Sequence, residues 1–178
     1  MSGAPARRLS FGRPVPARTP PEGTGPVTAT DPVYDVEHAE VLDVPPAAVF
    51  AAFTDPDVFA RWYGPDGVRT PREDVEIDPR VGGVLRFAMT LDADPAFRAT
   101  FDGTFTALEP GRLVAAGGDW RGIPGVDGPW TSHLRVELAP AGAGTRVLVR
   151  EGPHPAGSAE LGRQSWRSML PRLARAAA

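Results

Sequence analysis

The segment from Val44 to Met89 limits the possible folds most. Pro45 and Pro46 open it, where a helix start tolerates proline because the first turn's amides have no intrahelical partner. Val49, Phe50 and Phe53 follow at helical spacing and make one apolar face. Asp55-Pro56 restarts a second helix, capped by Asp55 or Thr54, with Val58, Phe59 and Trp62 as its apolar stripe. Gly64-Pro65-Asp66-Gly67 ends it in a turn. A strand-like run, Val75 to Asp78, enters Arg80-Val81-Gly82-Gly83, which needs a tight or left-handed backbone. Then Leu85, Phe87 and Met89 alternate with Val84, Arg86 and Ala88, the period of a half-buried strand.

Around this segment the chain reads as strands and one closing helix. The first strand is expected over Val33–Asp43, but both of its alternating sets mix polar and apolar residues, so neither face is assigned as buried. Leu91–Pro95 reads as a turn, Arg98–Leu108 as a strand with Phe101, Gly103 and Phe105 on one face, and Glu109–Arg112 as another turn. The strand Leu113–Trp120 carries Ala115, Ala116, Gly117 and Gly118. Such small side chains leave space for a pocket or let backbones approach closely; both readings stay open. Arg121–Pro129 is a Gly- and Pro-rich loop that could cover a cavity mouth. Ser132–Leu138 should turn Leu134, Val136 and Leu138 inward and His133 outward; Thr145–Glu151 should do the same with Val147 and Val149. Arg135, Glu137, Arg146 and Arg150 then form ion pairs on the solvent face, each worth little. Ser158–Ala178 is a long helix with Leu161, Ser165, Met169 and Leu173 at intervals of four, and Pro171 is expected to kink it near Arg167.

Composition excludes more than it suggests. At 178 residues, one domain with a proper core is expected, and a net charge of −3 offers no footprint for nucleic acid. Cysteine is absent, so disulfide and thiolate chemistry are excluded. All 19 basic residues are arginine, which excludes lysine Schiff bases. With the Ala, Pro and Gly richness, this points to a bacterial source. No apolar run approaches the roughly 20 residues of a membrane span, so a cytoplasmic protein is expected. Residues 1–32, rich in proline and carrying Arg7, Arg8, Arg13 and Arg18, read as a disordered tail preceding a domain over 33–178.

The run Thr54-Asp55-Pro56, then Trp62-Tyr63-Gly64-Pro65, then Asp78-Pro79-Arg80-Val81-Gly82-Gly83 before an alternating strand resembles the SRPBCC (START-like) superfamily. More narrowly, it is similar to the group named after the C-terminal domain of the activator of Hsp90 ATPase. The resemblance covers roughly Val33 to Ala177. It implies an α+β helix-grip fold: a curved antiparallel sheet wrapped around a long C-terminal helix, with two short helices after the first strand and an apolar cavity between sheet and helix. The family usually carries glycine before the helix tryptophan; here that place is Ser165.

Chemistry-bearing residues are scarce. His38, His133 and His154 are not at ligand spacing, so no metal is expected, and no phosphate loop or dinucleotide fingerprint implies a cofactor. Asp78 and Arg80 read as a loop-fixing salt bridge. Trp62, Tyr63, Phe87, Met89, Phe101, Trp120 and Trp166 are the candidates to line a pocket. Arg86 joins them if the strand phase is off by one. Three functions fit: a module binding a small apolar or aromatic ligand without transforming it, a cyclase-, aromatase- or hydratase-like enzyme, or a chaperone-regulating domain. The expected partner is a small hydrophobic molecule rather than nucleic acid or membrane; a homodimer is left open.

Overall fold

The computed structural model describes residues 31–178. The expected tail, but for its last two residues, lies outside the described residues. The elements run β1 (Val36–Leu42), α1 (Pro46–Thr54), α2 (Pro56–Trp62), β2 (Val68–Arg69), a single 3-10 turn (Arg72–Asp74), β3 (Glu76–Ile77), β4 (Val84–Leu91), β5 (Ala99–Glu109), β6 (Leu113–Arg121), β7 (Trp130–Ala141), β8 (Gly144–Gly152) and α3 (Ala159–Ala177). The sheet is antiparallel in the order β1-β8-β7-β6-β5-β4-β2, with β3 also paired to β4. With the long C-terminal helix gripped by this curled sheet, the architecture is the helix-grip fold.

Local chemistry explains the organising segment. Asp55 caps α2 through its side chain, accepting from the amides of Asp57 (2.8 Å) and Val58 (3.2 Å). Proline stands in the first turn of both α1 and α2. Val49, Ala52 and Phe53 from α1, with Phe59 and Trp62 from α2, are buried and pack with α3's Trp166, Leu170 and Leu173 in one core. Trp62 donates its indole N–H to the Ala52 carbonyl at 2.8 Å, pinning the two helices together.

Several boundaries shift for identifiable reasons. The first strand is shorter than expected because β1 ladders with β8 only from Val36 to Leu42; Val36 and Leu42 are its buried residues. The run before the glycine pair shrinks to Glu76–Ile77, the two residues in register with β4, while Val75 closes the 3-10 turn of Arg72–Asp74. β7 starts earlier, at Trp130, because it pairs with β6 all the way to Trp120. Pro171 lies inside α3, which continues to Ala177.

The small residues of β6 resolve into close approach. A Cβ on Gly118 would come 2.5 Å from the Asp102 carbonyl oxygen and 2.8 Å from the Phe101 ring. These glycines let β5 and β6 meet around Phe101. On the outer face, Arg150 pairs with Glu37 (2.9 Å) and Arg135 with Glu137 (2.7 Å). Arg80 and Asp78 close the expected loop pair at 2.7 Å. No helix among the described residues is long and apolar enough to cross a membrane.

Candidate functional site

A cavity of about 500 Å³ opens at one end of the sheet, against the first half of α3. Antiparallel pairing explains its walls, because alternate strands end there and the others begin there. β4 contributes Met89 and Leu91, the entry to β5 Phe97 and Ala99, β6 Trp120, β7 Trp130 and β8 Glu151. Tyr63 follows directly after α2, and Leu161, Ser165 and Met169 come from α3. The 122–129 connection supplies Ile123, Pro124 and Val126, so the expected cover loop forms part of the wall. Trp120 and Trp130 stack with centroids 5.9 Å apart and planes 18° from parallel.

One stretch of wall is polar. Glu151, with 12% of its side chain exposed, accepts the Trp166 indole N–H at 2.7 Å. His154, 8% exposed, places Nε2 3.7 Å from the same Glu151 oxygen and Nδ1 2.7 Å from Asp35. Asp35 also accepts the His154 backbone amide at 2.9 Å. Burial opposes the imidazolium, but the Glu151 and Asp35 carboxylates outweigh it and raise the His154 pKa above its ordinary value. Desolvation works against the Asp35 carboxylate as well; the His154 contacts prevail and lower its pKa. Burial, and then the Glu151 charge, hold the Tyr63 phenol well above its usual range, so it stays neutral. No group of three ligating side chains suited to a metal ion occurs among the described residues.

The eight residues singled out in the sequence go to four different places. Tyr63, Met89 and Trp120 line the cavity. Phe87 and Phe101 line a void of about 10 Å³ that shares Tyr63, Trp120 and Glu151 with the cavity and is too small to hold a ligand. Trp62 and Trp166 are fully buried core, each committed by its indole N–H. Arg86 points away: it sits on the solvent face, paired with Asp102 (2.7 Å) and Glu76 (2.9 Å). The phase of β4 is therefore the one with Leu85 and Phe87 inward, and the off-by-one alternative is corrected.

Glu151, His154, Phe97 and Trp130 were not singled out in the sequence. Three of them were reachable by extending each strand's inward set in steps of two: Val147 and Val149 lead to Glu151, Leu134 leads through Ser132 to Trp130, and Phe101 leads through Ala99 to Phe97. His154 lies past the end of β8 and carries no such signal.

Comparison with curated proteins gave no match. Among solved structures, the chain is similar to protein CV1439 from Chromobacterium violaceum, at 26% identity and TM-score 0.70 over 79% of this chain and 94% of that one. It is also similar to an AHSA1-like protein from Aeromonas hydrophila, at 22% identity and TM-score 0.62 over 79% and 91%. DynU16, a protein of the dynemicin biosynthetic locus, shares the fold at 19% identity and TM-score 0.58 over 79% of this chain and 45% of its own. Residues 43–178 match the family described as activator of Hsp90 ATPase homolog 1-like protein, and the chain therefore belongs to that family, within the SRPBCC superfamily.

Proposed function

We propose that the protein is a bacterial, cytoplasmic binding module that holds a small apolar or aromatic molecule between its sheet and α3 without transforming it. The observation that carries this is the cavity itself. Its volume of about 500 Å³ falls within the range of small-molecule pockets, and most of its wall is aromatic or aliphatic, with a few convergent polar groups. Native mass spectrometry of protein purified from its own host should find a retained small molecule. Adding that molecule back to emptied protein should raise Tm. An empty protein, unmoved by a broad apolar library, sinks the reading.

A second reading, an enzyme of the cyclase, aromatase or hydratase kind, is favoured by the Asp35–His154–Glu151 row. A carboxylate-held imidazole beside a second carboxylate on a cavity wall is an arrangement able to move a proton. The same experiment separates the two, because an enzyme returns its ligand chemically altered. The chaperone-regulating reading needs a broad exposed apolar face. The exposed large apolar side chains among the described residues, Val33, Val41, Val81 and Leu161, fall on separate segments and lend it no support.

A further inference from the structure

We propose that the cavity selects cationic ligands, taking an aromatic or alkyl body that carries a protonated amine, with Glu151 receiving the amine. This rests on the binding reading above and narrows its ligand class. Charge is the first observation. The cavity lining includes the carboxylates of Asp66 and Glu151 and the imidazole of His154, but no arginine among the described residues. In a chain whose 19 basic residues are all arginine, a carboxylate ligand finds no guanidinium on that wall. Burying it there without a partner carries a large desolvation cost.

Glu151 is the second observation. Its Oε2 is occupied by the Trp166 indole, while its Oε1 accepts no hydrogen bond among the described residues. The neighbouring imidazole does not cancel the charge. Nδ1 of His154 is hydrogen-bonded to Asp35, and Nε2 stands 3.7 Å from Glu151, so one ring is shared between two carboxylates. The row stays net negative even when His154 is protonated.

The third observation is the aromatic wall. Trp120 and Trp130 present a stacked pair on the wall of the same cavity as Glu151, and Tyr63 lines that space too. Indole and phenol faces attract an ammonium and also pack an aromatic body, so both halves of the proposed ligand have a surface. A carboxylate with aromatic faces and no guanidinium on the same wall is the chemistry of amine recognition.

Calorimetric titration at neutral pH with three ligands of one shape tests this: naphthylethylamine, naphthylethanol and naphthylacetic acid. The amine should bind at least about tenfold more tightly than the acid, with the alcohol between them. Glu151→Gln should bring amine and acid within about threefold of each other, whereas Asp43→Asn, at an exposed position outside the cavity lining, should leave the preference intact. Equal affinities, or a tighter acid, in the unaltered protein overturn the inference and leave an uncharged binding site. Loss of the preference in Asp66→Asn and not in Glu151→Gln overturns the assignment to Glu151. Binding of none of the three overturns both this inference and the binding reading beneath it. The comparison in the unaltered protein decides the charge preference even if Glu151→Gln fails to fold.

Discussion

His154 joins three parts of the chain: the residue before β1, the end of β8 and the start of α3. Asp35 and Glu151 are the carboxylates facing it; α3 brings Gly162, where an added Cβ would lie 2.7 Å from Nε2, and Arg163, whose guanidinium donates to the Asp35 backbone carbonyl at 3.2 Å. The linkage sign follows from the two shifts. A raised imidazole pKa contributes stability that is complete below the ordinary value of 6.5 and lost as pH rises through the folded value. A lowered Asp35 pKa contributes stability that is present above its ordinary 3.8 and lost as pH falls through the folded value. The clasp is therefore complete between those two values. The stability difference between the protein and His154→Gln should be largest near mildly acidic pH and shrink on the alkaline side. Urea unfolding across the pH range measures this, and a difference independent of pH would show that the imidazole charge contributes nothing. Trp166→Phe tests the neighbouring contact. It removes the donor to Glu151 from a fully buried position and should cost about 1–3 kcal/mol, read as a lower urea midpoint. Arg86→Ala, on the exposed face, should leave the urea midpoint nearly unchanged, because its ion pairs are screened by solvent.

Strand phase was the most legible property of the elements. In β4, β7 and β8 the alternation separated Leu85, Val136 and Val149, all buried, from Arg86, Glu137 and Arg150, all charged and ion-paired. It failed for β1, where the inward positions hold His38 and Glu40 beside Val36 and Leu42. There the hydrophobic signal is split because a polar pair lies on the half-buried face. Composition also left β6 ambiguous, since glycine marks close backbone approach and empty volume alike. The register resolves it: Gly118 stands opposite Gly103, and the Phe101 ring packs over both. Gly118→Ala should therefore destabilise by about 1–3 kcal/mol through overpacking, seen as a lower Tm. An unchanged Tm would mean that β5 and β6 can separate without cost.

At the scale of the molecule, the aromatic residues divide into a plug and a wall. Phe53, Phe59, Trp62, Phe87 and Phe101 make successive edge, tilted and stacked contacts under α1 and α2, filling that end of the grip. The helices extend no further, and the other end stays hollow. Ser165 faces the hollow from α3, at the position where the family usually has glycine. Ser165→Phe should fill part of the cavity, abolish ligand retention in native mass spectrometry and leave the fold intact, with Tm within a few degrees. Retention of the ligand at full occupancy by this variant would move the binding site elsewhere.

The sequence by itself determined the order of the longer elements, the two proline-started helices, the inward faces of most strands and the family. Each rests on information within a few residues: caps, breakers, alternation and the spacing of one short motif. Only the tertiary structure decided where the hollow lies and which charges reach it. Phe87 and Trp120 carry the same apolar signal along their strands, yet one lines only a minute void and the other lines the cavity. The difference is how far α1 and α2 extend over the sheet. Glu151 and His154 meet Asp35 because β1 pairs with β8 across more than a hundred residues of chain. That long-range pairing leaves no trace in local composition, and it makes one wall of an apolar cavity acidic.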